Sequence, residues 1–225
     1  VQHNPRTNVL SVKNERTKLD VSALYFGGSS KHGDTRAIGQ YGEGLKLALL
    51  VLARNNIPVK VYNDDEVWRA TIEPDVNGIR VLTLHKRKAS VPTGSGEVEV
   101  GNVSFDIWCE VRDMFLRLTP AKKKVRTDYG SVLFDPEHVG KYYARGVYVS
   151  SQPSAGFGYD FDHLTVGRDR VSFNSYEAES AIASIWGVAI THGTEFVRLF
   201  YDALMGTAQD LQGFNYMGRS DVSTN

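Results

Sequence analysis

With 225 residues, 41% of them apolar, the chain is long enough to build one substantial core, or a core with a small second layer, and too apolar to be a disordered segment. Its 26 basic residues balance 26 acidic ones, so no overall field draws in nucleic acid or an anionic membrane, and a charged ligand has to be held locally. Cys109 as the one cysteine excludes an internal disulfide, the 6 histidines lack zinc-ligand spacing, and no apolar run is long enough to span a bilayer; with the polar start Val1-Gln-His-Asn-Pro-Arg6 these features predict a soluble cytoplasmic protein.

Residues 8–12 alternate weakly and predict a short strand, followed by the polar turn Asn14-Glu-Arg-Thr-Lys-Leu19 and an apolar run over 21–26. Gly27-Gly-Ser-Ser-Lys-His-Gly33 is a loop by composition. Residues 45–54, rich in Leu and Ala and free of Gly and Pro, predict a buried helix that Asn55-Asn56 stops. Period-two alternation over 59–62, 67–72 and 79–84, with turn chemistry at Asn63-Asp-Asp65 and Pro74-Asp-Val-Asn-Gly78, predicts an antiparallel meander, and 97–100 adds a strand. An amphipathic helix is expected over 107–118, ended by Pro120. Ala121-Lys-Lys-Lys-Val-Arg-Thr127 is a dense basic run expected at a linker or subdomain edge. Further strands over 131–134 and 144–149, a loop over 152–158, helices over 175–188 and 194–205 and a polar tail complete the chain. The expectation is an α+β fold: a two-layer sandwich on a mostly antiparallel sheet over residues 1–120, then a smaller α/β extension over 121–225.

The segment with chemical content is Ile38-Gly39-Gln40-Tyr41-Gly42-Glu43-Gly44-Leu45-Lys46, where three glycines at G-x-x-G-x-G spacing run into a helix. Bare glycine backbone lets peptide amides approach a phosphate, and the helix start adds N–H groups without intrahelical acceptors and the positive end of the dipole. A Walker A loop is excluded, because Leu45 separates the last glycine from Lys46 and no Ser or Thr follows the lysine. A Rossmann fingerprint needs the glycines in the opposite order after a strand.

This segment resembles the second glycine box of the GHKL (Bergerat-fold) ATPases, the superfamily of gyrase, Hsp90, histidine-kinase and MutL types, in the form I-G-x-[FY]-G-x-G-x-K of microrchidia-type and Hsp90-like members. Ser29-Ser30-Lys31 precedes it, similar to the G-x-S-K element those families carry just before the box. The resemblance implies an ATP-binding module, a hydrolase where active, with ATP and Mg2+ as cofactors and ATP or ADP as ligand. It makes 38–46 the lid over the phosphates: the amides of Gly42, Gly44 and Leu45 on the γ- and β-phosphates, with Ser30, Lys31, Gly39, Gln40, Tyr41 and Glu43 around them. Lys46 stands either as a charge partner of the phosphates or as a snorkelling surface lysine. Asn14 occupies the place of the adenine-binding Asp of the first box, D-x-G-x-G, and Thr93 or Ser95 the place of the Gly-Thr pair beside adenine. Gly167-Arg-Asp-Arg-Val171 is similar to charged strand ends in the C-terminal extensions of such ATPases and reads equally as a surface ion-pair cluster.

The chain departs from the family pattern in two places. No helix with E-x-x-x-N, whose Glu activates water and whose Asn binds Mg2+, precedes the glycine box; the one literal instance, Glu73-Pro-Asp-Val-Asn77, holds Pro74 and precedes Gly78, which favour a turn. The first box lacks both glycines. Either the catalytic helix lies upstream of Val1 or on another chain, or the protein no longer hydrolyses nucleotide and serves as a scaffold or interaction module, with a protein partner or a second copy. Lys122-Lys-Lys-Val-Arg126 lacks interleaved aromatics, so nucleic acid is not expected as a partner.

Overall fold

The computed structural model describes residues 1–16, 18–20, 24, 43–164, 175–206 and 209–211. The chain is α+β and divides into two compact units, Val1–Glu110 and Val111–Asn225, each built on a mostly antiparallel sheet that does not close into a barrel. Among the described residues no helix is long and apolar enough to cross a membrane.

The first unit carries strands β1 (Gln2–Asn4), β2 (Val9–Glu15), β3 (Val59–Asn63), β4 (Glu66–Pro74), β5 (Arg80–Lys88) and β6 (Ser95–Val100), in the spatial order β1-β2-β6-β3-β4-β5. The alternating segments do form β3, β4 and β5 as consecutive hairpins, but β6 returns to lie between β2 and β3, antiparallel to both. Helix α1 (Gly44–Arg54) packs on one face over β3, β4 and β5. It lays Leu45, Leu49 and Leu52 on Val59, Val61 and Trp68, with Leu82, Leu84, Val98 and Val100 around them. Helix 45–54 was expected to be buried throughout; instead it is two-faced, with Lys46, Leu49 and Ala53 inward while Leu47 and Val51 stay 52% and 55% exposed. One sheet face below the helix cannot cover residues on its far side. Glu73 and Asn77 flank a turn in which the Asp75 carboxylate accepts the N–H groups of Asn77 and Ile79, both at 2.8 Å, and Gly78 sits at φ +77°.

Helix α2 (Phe105–Asp113) ends five residues before the expected 118. Its continuation is taken by tight turns, Met114 N–H to Val111 and Phe115 N–H to Arg112, and Phe115 then bridges to Val147.

The second unit orders its strands β10-β9-β11-β8-β7, with β7 (Lys124–Thr127), β8 (Gly130–Leu133), β9 (Lys141–Ala144), β10 (Val147–Ser151) and β11 (Gly158–Phe161); β11 and β9 run parallel and the other pairs antiparallel. The basic run expected at a linker becomes β7 in the sheet, its entry fixed by Asp135, whose Oδ2 accepts the backbone N–H groups of Lys122 (2.7 Å) and Lys123 (3.0 Å). The strand expected over 144–149 is a hairpin: Arg145 (φ 51°) and Gly146 (φ 78°) make a two-residue turn with both residues left-handed, the twist that suits a tight hairpin. Helices α3 (Ser175–Ala189) and α4 (Thr194–Met205) bring Ile182, Ile185, Trp186, Phe196 and Phe200 onto Val132, Tyr159 and Phe161. A single turn at Gln209–Leu211 is pinned from inside: Trp186 Nε1–H donates to Tyr159 Oη (3.0 Å), Tyr159 O–H donates to Asp210 Oδ2 (2.7 Å), and Gly156 N–H donates to Asp210 Oδ1 (3.0 Å).

Candidate functional site

Of the residues singled out by the glycine box, Ser30, Lys31, Gly39, Gln40, Tyr41 and Gly42 lie outside the described residues, as does the 167–171 segment. Glu43, Gly44, Leu45 and Lys46 form the entry to α1. Gly44 is its first residue, and the Glu43 carbonyl accepts the Leu47 N–H at 3.0 Å. The helix start has no side-chain cap hydrogen bond and no acidic residue in its first turn, and the amides of Gly44, Leu45 and Lys46, as in any first turn, have no carbonyl partner within the helix. Lys46 is 7% exposed and lies on the inward stripe with Leu49 and Ala53, which removes the reading of a snorkelling surface lysine.

On the sheet face that α1 covers, three strands meet in rows. Val59 and Val61 of β3 stand opposite Val100 and Val98 of β6, and the next row is Asn14 of β2, Gly96 of β6 and Asn63 of β3. The apolar ladder thus ends in two carboxamides separated by a residue with no side chain. Asn14 belongs to β2 rather than to a turn, because the strand runs on to Glu15, and its exposed carboxamide offers both a donor and an acceptor.

Asn63 has a different task. Its Oδ1 accepts the Leu19 N–H at 2.6 Å and its Nδ2 donates to the Leu19 carbonyl at 2.9 Å, so one buried amide holds both polar groups of the residue that packs under α1. Lys18 beside it bonds Asp65 at 2.7 Å and Asp64 at 3.4 Å; the bond from Asp65 raises the lysine above its ordinary value, and the lysine in turn lowers Asp65. Asp64 also gathers the 93–95 segment: its Oδ1 accepts Gly94 N–H (3.1 Å), its carbonyl accepts Thr93 N–H (3.1 Å), and its own N–H donates to the Ser95 carbonyl (3.1 Å).

Thr93 therefore braces this turn, its hydroxyl donating to the Ser95 carbonyl at 3.0 Å. Ser95 is buried with a hydroxyl that has no partner among the described residues, and strand alternation directs it away from the face of Gly96, Val98 and Val100. Neither residue stands in the Asn14–Gly96–Asn63 row, where Gly96 occupies the β6 position. Sequence reasoning passed over Asn63, Asp64 and Lys18; the Asn63-Asp-Asp65 run that marked a turn was the available signal.

The helix start presents backbone N–H donors, and of the carboxamide row the exposed Asn14 presents a donor and an acceptor, Asn63 being spent on Leu19. Among the described residues no group of three His, Cys, Asp or Glu that could hold a metal occurs. No family model matches the sequence, and no curated protein matches it.

Proposed function

We propose that the first unit is an ATP-binding module of the GHKL kind, in which the start of α1 and the glycine ribbon before it receive the triphosphate, and Asn14 meets the base. The observation that carries this reading is the α1 start: a helix whose first turn has neither cap side chain nor acidic residue, has a buried lysine, and is entered through G-x-x-G-x-G. An uncapped positive helix end behind bare backbone favours an anion with several oxygens over a single carboxylate. Here the protein's own groups bind and orient, and no E-x-x-x-N helix, the source of a general base and a Mg2+ ligand in the family this segment resembles, occurs among the described residues. Binding without turnover, as a nucleotide-responsive scaffold for a protein partner, is therefore the form the described residues support best.

Calorimetric titration of the whole chain with ATP and with a slowly hydrolysed analogue, with and without Mg2+, tests the reading, alongside a phosphate-release assay. Saturable binding of both nucleotides that weakens in Gly42→Ala and Gly44→Ala chains is the expected result. Titrations showing no heat with either nucleotide, by a chain of native secondary structure, would refute it; sustained phosphate release would restore the ATPase form.

A further inference from the structure

We propose that the edge of β5 that no described strand covers takes up an extended acidic peptide as a further strand of the first sheet; the inference does not rest on the nucleotide reading. β5 pairs with β4 along all nine residues, Arg80–Lys88, and with no other strand among the described residues. The Ala89 N–H bonds the Asp65 carbonyl at 2.8 Å, just beyond the Glu66–Lys88 pair. In an antiparallel ladder this phase commits the backbone of Arg87, His85, Thr83 and Val81 to β4. It leaves the N–H and C=O groups of Lys88, Lys86, Leu84 and Leu82 directed outward. Such an edge is a template for another strand.

The side chains state which strand. His85, Lys86, Arg87 and Lys88 are consecutive and all exposed. By alternation His85 and Arg87 lie on the face away from α1, and Lys86 on the α1 face, where its Nζ stands 4.9 Å from the Trp68 ring centroid. On the His85 face a shallow groove of about 410 Å3 runs between β4 and β5, lined by Val67, Arg69, Thr71, His85, Lys86 and Arg87. Glu73 takes up His85 at 2.7 Å; no acidic partner of Arg69 or Arg87 occurs among the described residues. Arg69 stands directly opposite His85, with Arg87 diagonal to it and Lys60 on its other side. Guarding an edge against aggregation takes one or two charges, whereas like charges set face to face repel and cost stability. A cluster this dense is accounted for by an anionic occupant.

Three occupants compete, and the charge pattern favours one. A second copy in antiparallel register sets Lys88 against Arg80 and Lys86 against Leu82, and in parallel register sets the cations side by side. Nucleic acid finds no stacking platform, since Trp68 is fully buried and Tyr62 is half-buried and bonded to Glu99 at 2.9 Å. Glu97 and Glu99 on the same sheet face interrupt a phosphate track two strands away. An acidic strand matches both the backbone and the charge. Because Lys86, Arg87 and Lys88 alternate between faces, its carboxylates must be consecutive, about three in a row. Running antiparallel, it then presents β-branched residues to Val81, Leu82, Thr83 and Leu84.

The test is fluorescence anisotropy of the whole chain with a labelled peptide of three glutamates followed by alternating valine and threonine. Saturable binding that weakens as salt is raised is expected, falling at least about tenfold in a Lys86→Glu, Arg87→Glu chain. A Lys86→Gln, Arg87→Gln chain with an unchanged unfolding midpoint should show an intermediate loss, which separates charge from misfolding. Methylating alternate peptide nitrogens on the edge that meets β5 should abolish binding, while methylating the opposite edge should not. No saturable binding, equal binding by both methylated peptides, or tighter binding of an oligothymidylate of equal charge would each overturn the proposal.

Discussion

Replacing Asn63 with alanine removes two hydrogen bonds from a side chain that is 1% exposed, those at 2.6 and 2.9 Å to the two backbone groups of Leu19. Each bond contributes about 1 kcal/mol net, and the Leu19 groups left without partners add a desolvation cost, so the loss comes to about 2–3 kcal/mol. Water entering past the exposed Lys18 and Asp65 side chains holds it toward the lower end. At 2 kcal/mol, hydrogen exchange of the Leu19 amide should quicken about 30-fold. The unfolding midpoint of the first unit should fall by about 10 °C. Asn14→Ala, in the same row but exposed, should change stability by less than about 0.5 kcal/mol while weakening any bound nucleotide. Amide exchange followed residue by residue, with a thermal melt, reads both. Leu19 protection in the Asn63→Ala chain within threefold of the parent value would refute the clamp.

Lys46→Met keeps length and helix propensity but deletes the cation in the first turn of α1; if the triphosphate reading holds, ATP affinity should fall about tenfold or more with helicity unchanged, read by calorimetry and circular dichroism. His138 is buried against Tyr143, 3.0 Å from its hydroxyl, and burial pushes its pKa below 6.5. The unfolded chain then takes up a proton that the folded chain refuses, so this histidine's contribution weakens as pH falls below about 6.5 and levels off under the folded value. Denaturant melts between pH 7.5 and 5 should show that slope flattened in His138→Gln. Gly146→Ala meets only the strain of φ +78°, about 1–2 kcal/mol, whereas a methyl group at Gly158 would collide with the His138 carbonyl; melts should rank Gly158→Ala as clearly the more damaging.

Local pattern carried the elements whose cause is local. The period-two runs became β3, β4 and β5, and Leu45 to Arg54 and residues 194–205 became helices, because one buried face imposes its spacing on the letters. The placement of β6 between β2 and β3 leaves no such trace, since pairing across the Asn14–Gly96–Asn63 row joins residues far apart in sequence. The β9–β10 turn was read through as one strand because Gly146 is a lone glycine inside a strand-like run and Arg145 before it carries no turn signature. The basic run Lys86-Arg-Lys88 was missed because the β5 pattern was ended at Leu84, where apolar letters stop but pairing continues to Lys88. The glycine box announced a helix start, and α1 begins at Gly44; the inward setting of Lys46 was not legible, because the same letter serves exposed and buried positions.

The hydrogen-bonded chain from Trp186 through Tyr159 to Asp210 makes an indole into an optical gauge. Its N–H donates to a phenol oxygen whose own proton goes to a carboxylate on the last described turn, and Phe157 and Phe200 lie within 5.0 and 5.3 Å of the ring. The share of the emission that comes from Trp186, one of 3 tryptophans, should therefore register whether Gln209–Leu211 is seated, and in a chain with Trp68 and Trp108 replaced by phenylalanine, tags, trims or fusions at this end can be screened in a cuvette.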